Sequence, residues 1–203
     1  MARHKEFDRQ EALEKAMEVF WRYGYEGTSI RDLIGHMGIH RGSLYDTFGD
    51  KRSLFSEALN CYDRVVVSTA VECLETPEAS LSSITRFFER IVEISILDRD
   101  RKGCFLVNSA VEVCPHDPEL AKLIAANFEK IERSFLKALK KAEAKGEISQ
   151  DRDLKVLAKY LTSSLQGLRV TAKIHPDRKT LSQIARSIVE GIRKPQESSV
   201  RRE

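Results

Sequence analysis

Three glycines, Gly24, Gly38 and Gly49, cut the first fifty residues into helical pieces, each too short to hold itself without tertiary packing, and this spacing constrains the fold more than any other feature of the chain. Ahead of the first, Leu13, Ala16, Met17, Phe20 and Trp21 fall at i, i+3, i+4, i+7 and i+8, the pattern of an amphipathic helix. Gly24 is placed to end that helix in the left-handed conformation. "EGTSIRD" then offers Thr28 or Ser29 as the next N-cap, with Ser29 and Asp32 at the spacing of a capping box. The short helix that follows carries Ile30, Leu33 and Ile34 inward and stops near Gly38, where "HMGIH" makes a tight turn around a residue free to take positive φ. A third helix begins near His40 and ends by Gly49. Two short helices joined by a glycine-containing turn have the proportions of a helix-turn-helix.

The second helix of that pair, within "HRGSLYDTFGDK", has only Leu44 and Phe48 as an apolar pair at i and i+4. Arg41, Gly42, Ser43, Tyr45 and Thr47 are left uncovered. A helix that lies in the major groove needs this composition: short polar side chains and close backbone approach rather than bulk. Asp50 can cap the next helix, but Lys51 and Arg52 then stand at its positive end, which costs a few tenths to about 1 kcal/mol. A phosphate at that helix N-terminus would reverse the sign. Residues 1 to 55 nevertheless contain nine Lys+Arg against nine Asp+Glu, so any DNA-binding surface must segregate its charges by face.

With 41% hydrophobic residues, the 203-residue chain can bury one substantial core or two small ones. No run approaches the roughly 18 apolar residues of a membrane span, and "MARHKEFDRQ" lacks the apolar stretch of a signal peptide, so a cytoplasmic protein with no membrane partner is expected. Cys61, Cys73, Cys104 and Cys114 show no CxxC spacing and suit reduced thiols.

Phe20, Gly24, Tyr25, Thr28 and Ser29, then Asp32-Leu33, Gly38-Ile39, Gly42-Ser43-Leu44-Tyr45, Phe48, Lys51 and Leu54 resemble the N-terminal signature of the TetR family of bacterial transcriptional regulators. The resemblance covers roughly 45 residues. It implies phosphate contacts from Thr28, Tyr45 and Lys51, and base or phosphate contacts from Arg31, Arg41, Gly42, Ser43 and Thr47. Two positions depart from the pattern. His40 replaces the usual serine or threonine at the recognition-helix N-cap, leaving a poor cap or a DNA contact of its own. Asp46 puts an acid beside the DNA-facing side.

The remainder is helical and short-looped. A long helix is expected from about Lys51 to Cys73, and the stripes Leu81, Ile84, Phe87, Phe88, Ile91, Ile94 and Leu120, Ile124, Phe128, Ile131, Phe135, Leu139 mark two more. Between them lies "GCFLVNSAVEVC", on which Cys104, Val107, Asn108 and Val111 share one face. That face is either core, with Asn108 bonded to a neighbouring backbone, or one wall of a ligand cavity whose other walls would be Phe88, Ile91, Phe128, Tyr160 and Gln166. Cys104, in the first turn after the cations of "RDRKG", is a candidate sensor thiol or a buried structural one. "CPHDP" reads as a cap and turn without a metal, and no cofactor is expected.

Two last helices carry Leu154, Leu157, Leu161, Leu165 and Leu168, and Leu181, Ile184, Ala185, Ile188 and Ile192. They can complete their own core or pair with a second copy. The resemblance implies the second, with Leu157, Leu161, Leu165, Leu168, Leu181, Ile184 and Ile188 at a homodimer interface and two recognition helices facing a palindromic operator in double-stranded DNA. The expected organisation is all-α: an N-terminal three-helix helix-turn-helix DNA-binding domain at 1–52, a C-terminal helical ligand-binding and dimerisation domain at 53–193, and a flexible tail at 194–203. No nucleophile, base and orienting group occur together at a readable spacing, so the chain is read as a regulator rather than an enzyme. It would be a repressor released by a small apolar or electrophilic effector, or switched by oxidation or electrophiles at Cys104.

Overall fold

The computed structural model describes residues 7–194, and among these every regular element is helical. The expected flexible tail lies, beyond Lys194, outside the described residues. α1 (Arg9–Tyr23), α2 (Ile30–Met37), α3 (Arg41–Phe48) and α4 (Lys51–Tyr62) are followed by a π-helical turn at Asp63–Val67 and by α5 (Ser68–Glu75), α6 (Leu81–Leu97), α7 (Phe105–Val113), α8 (Pro118–Ala144), α9 (Leu154–Ile174) and α10 (Arg178–Glu190). Ser29 with Asp32, Asp50 and Asp117 cap where the sequence places them, and Asp8 adds a cap at the start of α1. Asp8 accepts from Glu11 N–H, Ser29 and Asp32 complete both halves of a capping box, Asp50 accepts from Ser53 N–H, and Asp117 accepts from Leu120 N–H. Gly38 takes the left-handed conformation that closes α2. Gly24 also has positive φ, but with ψ 176 it is extended instead of left-handed helical, a region open essentially to glycine alone.

The expected single helix from Lys51 to Cys73 is interrupted. At Asp63–Val67 the hydrogen-bond step lengthens to i→i+5, and the Ser68 hydroxyl donates to the Asp63 carbonyl at 2.9 Å. Shortly after this turn, between Ala70 and Val71, the packing divides.

The chain forms two compact units. One contains residues up to Ala70 together with Asp98–Glu129; the other contains Val71–Leu97 and the residues from Lys130 onward. The first unit is built on an aromatic cluster. The Phe55 ring meets Phe20 at 5.0 Å, Tyr25 at 4.9 Å and Phe105 at 5.6 Å, and Tyr62 bridges Trp21 and Phe105 at 5.0 and 5.6 Å. Edge-on pairs of this kind add about 0.5–1.5 kcal/mol each beyond their burial. Phe55 lies at the centre of this core and α7 delivers Phe105 to it. The boundary expected after residue 52 is therefore not where the contacts divide.

The second unit packs Phe87 and Phe88 of α6 on Phe135 of α8, at 5.1 and 5.9 Å. Leu74, Leu81, Leu139, Leu161, Leu168 and Leu181 are fully or almost fully buried around them. Polar ties close its edges: Glu75 accepts from Ser134 Oγ at 2.9 Å and Lys137 Nζ at 2.8 Å, and Glu147 accepts from Leu81 N–H at 2.8 Å.

The same packing corrects the expected dimer interface. Leu157, Leu161, Leu168, Leu181 and Ile188 are buried within their own chain, and Leu165 and Ile184 are half-buried. The five buried ones belong to this unit's core and are not available to a partner, whereas Leu165 and Ile184 keep part of their surface outside it. The uncovered face of α9 is a different one: Val156, Tyr160, Ser163, Gly167, Val170 and Ile174, all exposed, spaced by alternating steps of four and three.

Candidate nucleic-acid interface

α3 buries Leu44 and Phe48 and nothing else. At 100° per residue, Gly42 and Asp46 then point away from the core, flanked by Arg41 and Tyr45 on one side and by Ser43 and Thr47 on the other. Arg41 lies over the Tyr45 ring, 5.7 Å from its centroid. Among the described residues the hydroxyls of Ser43, Tyr45 and Thr47 make no hydrogen bond to another residue, and His40 caps α3 without a side-chain bond. At Gly42 an added Cβ would meet no atom within 4 Å, so packing does not require glycine there, although glycine costs a helix about 1 kcal/mol against alanine. Arg31, on α2, is exposed.

The structure places Thr28 away from the exposed surface and gives the two cations of α4 partners within the chain. Thr28 is 1% exposed, and its hydroxyl donates to the Gly24 carbonyl at 2.6 Å, so its chemistry closes the loop between α1 and α2 instead of facing outward. The cations at the start of α4, for which sequence alone gives no folding reason, both have intramolecular partners. Lys51 Nζ sits 4.4 Å from the Tyr25 ring centroid. Arg52 makes a two-pronged pair with Asp117, at 2.6 and 2.9 Å, which holds the Asp117 carboxyl down at about 2. Tyr25, beneath Lys51, is pushed above the ordinary tyrosine value, first by burial and then by the nearby Glu26 and Asp50 carboxylates. Asp50 itself is held below the carboxylate range by the Ser53 N–H it caps.

The expected ligand-cavity residues do not converge. Val111 is 78% exposed, and the inward face of α7 is Phe105, Leu106, Ser109 and Val113. Asn108 donates to the Lys102 carbonyl at 2.8 Å, the backbone bond expected of it, although the face it shares with Val111 is not core. Val107 and Phe128 are half-buried in the first unit. Phe88 and Ile91 are buried in the core of the second, while Tyr160 is 42% exposed and Gln166 half-buried. The second unit does hold an open groove of about 1200 Å³ between α6 and α10, lined by Glu89, Glu93, Arg152, Arg186 and Glu190 among others, and none of the expected cavity residues lines it. Cys104 is the N-cap of α7, half-buried, with its sulfur 3.8 Å from the Tyr62 hydroxyl.

Residues 12–58 match the model of the tetR family of bacterial regulatory proteins, and residues 80–188 match the tetracyclin repressor-like C-terminal domain. The chain belongs to the TetR family of transcriptional regulators. It is 42% identical to the uncharacterized HTH-type transcriptional regulator YezE of Bacillus subtilis, over 87% of this chain and 92% of that one. It is 31% identical to the HTH-type transcriptional repressor ComR of Escherichia coli, over 90% of this chain and 88% of that one. Among solved structures, a cysteine mutant of the TetR family regulator CifR in complex with 26-bp double-strand operator DNA superposes with a TM-score of 0.83 at 30% identity, covering 94% of this chain and all of that one. As a TetR family member the chain is a regulator by family and not an enzyme. Sequence reasoning missed Glu112, whose carboxylate accepts the Tyr25 and Glu26 N–H groups at 2.9 and 2.8 Å. Nothing in the spacing links residue 112 to residue 25.

Proposed function

We propose that this TetR family member is a homodimeric, sequence-specific repressor that inserts α3 into the major groove of a palindromic DNA operator and is released by a small-molecule effector. The observation that carries the DNA reading is α3 itself: three hydroxyls without partners among the described residues, an open Gly42 and an exposed Arg41 on a helix that needs only Leu44 and Phe48 to fold. Arg41, Ser43 and Thr47 approach base edges, with Gly42 letting the backbone come close, while Tyr45, Lys51 and Arg31 meet phosphates. His40, exposed and free of a capping bond, lies at the same end. Asp46 repels phosphate and tolerates only a donor such as cytosine N4. Repression is supported by the related ComR, and operator binding by CifR.

The dimer is supported by the exposed α9 stripe. A heptad-spaced apolar row with Ser163 and Gly167 at its middle lets a second α9 approach closely, and an added Cβ on Gly167 would meet nothing within its own chain. Release requires that the effector bind the DNA-incompetent conformation more tightly. A second reading, a switch at Cys104 by oxidation or alkylation, is favoured by its place: the residue stands at the N-cap position of the helix that holds the loop before α2. Genome-wide mapping of DNA occupancy in the source cell, followed by footprinting of the purified protein on the occupied fragments, tests the proposal. Short palindromic footprints support it; occupancy without any protected site contradicts it.

A further inference from the structure

α7 lies within the stretch matched by the C-terminal family model, yet it packs in the first unit and is tied to the DNA-binding helices at both ends. At its start, the Gly103 carbonyl accepts the Trp21 indole N–H at 3.1 Å, Lys102 lies over the Trp21 ring and pairs with Glu18, and Asp100 pairs with Arg22. Near its end, Glu112 places one carboxylate oxygen on Tyr25 N–H at 2.9 Å and the other on Glu26 N–H at 2.8 Å. Gly24 is shaped around that carboxylate: a Cβ there would come within 2.7 Å of Oε2 and 2.9 Å of Oε1, in addition to the strain of φ +77. The loop so gripped is closed by the Thr28 bond to Gly24 and leads directly into the Ser29 capping box of α2.

We infer that Glu112 is a positioning residue for DNA recognition. From α7 its carboxylate fixes the loop at Gly24–Thr28, and thereby the angle at which α2 and α3 are presented to DNA. Glu26 is exposed, so water would satisfy its N–H in the absence of the carboxylate, while the half-buried Tyr25 N–H would lose a partner at a modest cost in stability. Two adjacent N–H donors need two acceptor oxygens. A carboxylate has both, whereas a carboxamide has one and would turn an N–H₂ toward a donor. A displacement of α7 reaches the reading helix through this contact without passing along α4. The inference rests on the reading of α3 as the DNA-recognition helix.

The test is Glu112→Gln in the full-length protein, measured on a duplex carrying a site footprinted by the wild type and on an unrelated duplex of equal length. The expected result is a melting temperature within a few degrees of wild type, faster amide exchange at Tyr25 and Glu26, and a loss of about tenfold on the footprinted site. Affinity for the unrelated duplex and the salt dependence of binding stay unchanged, because no phosphate contact is removed. Binding of the footprinted site within twofold of wild type overturns the inference. So does a parallel loss on both duplexes or a failure to fold, either of which assigns Glu112 to stability alone. A wild type that protects no site removes the DNA reading itself, an outcome distinct from a normal wild type with an indifferent variant.

Discussion

α3 and α9 each leave a long face uncovered, and the chemistry of the two faces is opposite. α3 turns Arg41, Gly42 and Asp46 outward beside the half-buried Ser43 and Thr47, whose hydroxyls no neighbour among the described residues satisfies. α9 turns out Val156, Tyr160, Val170 and Ile174 around two small residues. Water covers the first at no cost, and only a partner with its own donors, acceptors and negative charge gains from meeting it. Water covers the second at a cost that grows with apolar area, and a second apolar helix relieves it. An uncovered face therefore says what kind of partner it suits, once the core-facing residues are known and removed from consideration.

The comparison is broken most strongly on α9. Val170→Glu places a charge in the middle of the proposed helix pair, and sedimentation should show a folded monomer whose operator affinity has fallen by about a hundredfold or more, the loss expected when two half-sites are no longer linked. Leu161→Glu, one face away and fully buried, should instead fail to fold. A Val170→Glu protein that remains dimeric moves the interface elsewhere.

Neighbouring residues of α3 give the next contrast. Leu44→Ala should lower the unfolding free energy by about 2–5 kcal/mol in a urea titration, because Leu44 is fully buried. Tyr45→Ala should change it by no more than about 0.5 kcal/mol while weakening DNA binding severalfold. Equal destabilisation by both would show that Tyr45 packs rather than contacts.

Lys51→Ala sharpens the electrostatic side. If Lys51 meets a phosphate while resting on Tyr25, affinity should fall on all sequences, and the slope of log affinity against log salt should become shallower by about one unit. An unchanged slope confines Lys51 to its contact with Tyr25.

The smallest expected effect is at Asp117. Its folded value, about 2, lies below the ordinary 3.8, so its pairing with Arg52 contributes fully above pH 3.8 and is lost as pH falls toward 2. Asp117→Asn retains the helix cap and removes the charge. Urea midpoints of wild type and variant should therefore differ at pH 5 and converge near pH 2; a constant difference would remove the ion pair as the cause.

The DNA-binding half was largely legible in the sequence because its information is local. Caps, glycine stops and the Leu44/Phe48 pair lie within four residues of what they control. Long-range pairings left no such trace: Arg52 with Asp117, Glu112 with the Gly24 loop and Phe105 with Phe55 join residues 50 or more positions apart. Periodicity correctly marked α9 and α10 as amphipathic, but the leucine row that looked like an interface is the larger of two apolar stripes, and the chain's own core takes the larger. The Val111 face failed for the same reason. An apolar stripe shows that burial is favourable and does not show what covers it.

The central claim is that α3 reads base sequence while the residues around it read the backbone. Selection from a random duplex pool by the wild type, Ser43→Ala, Arg41→Ala and Lys51→Ala tests it most directly. The wild type should enrich a two-fold symmetric sequence with half-sites one helical turn or a multiple apart. Ser43→Ala and Arg41→Ala should change the preferred base at symmetric positions in both halves, and Lys51→Ala should enrich the wild-type sequence with lower yield. An identical sequence enriched by all four proteins would contradict the account.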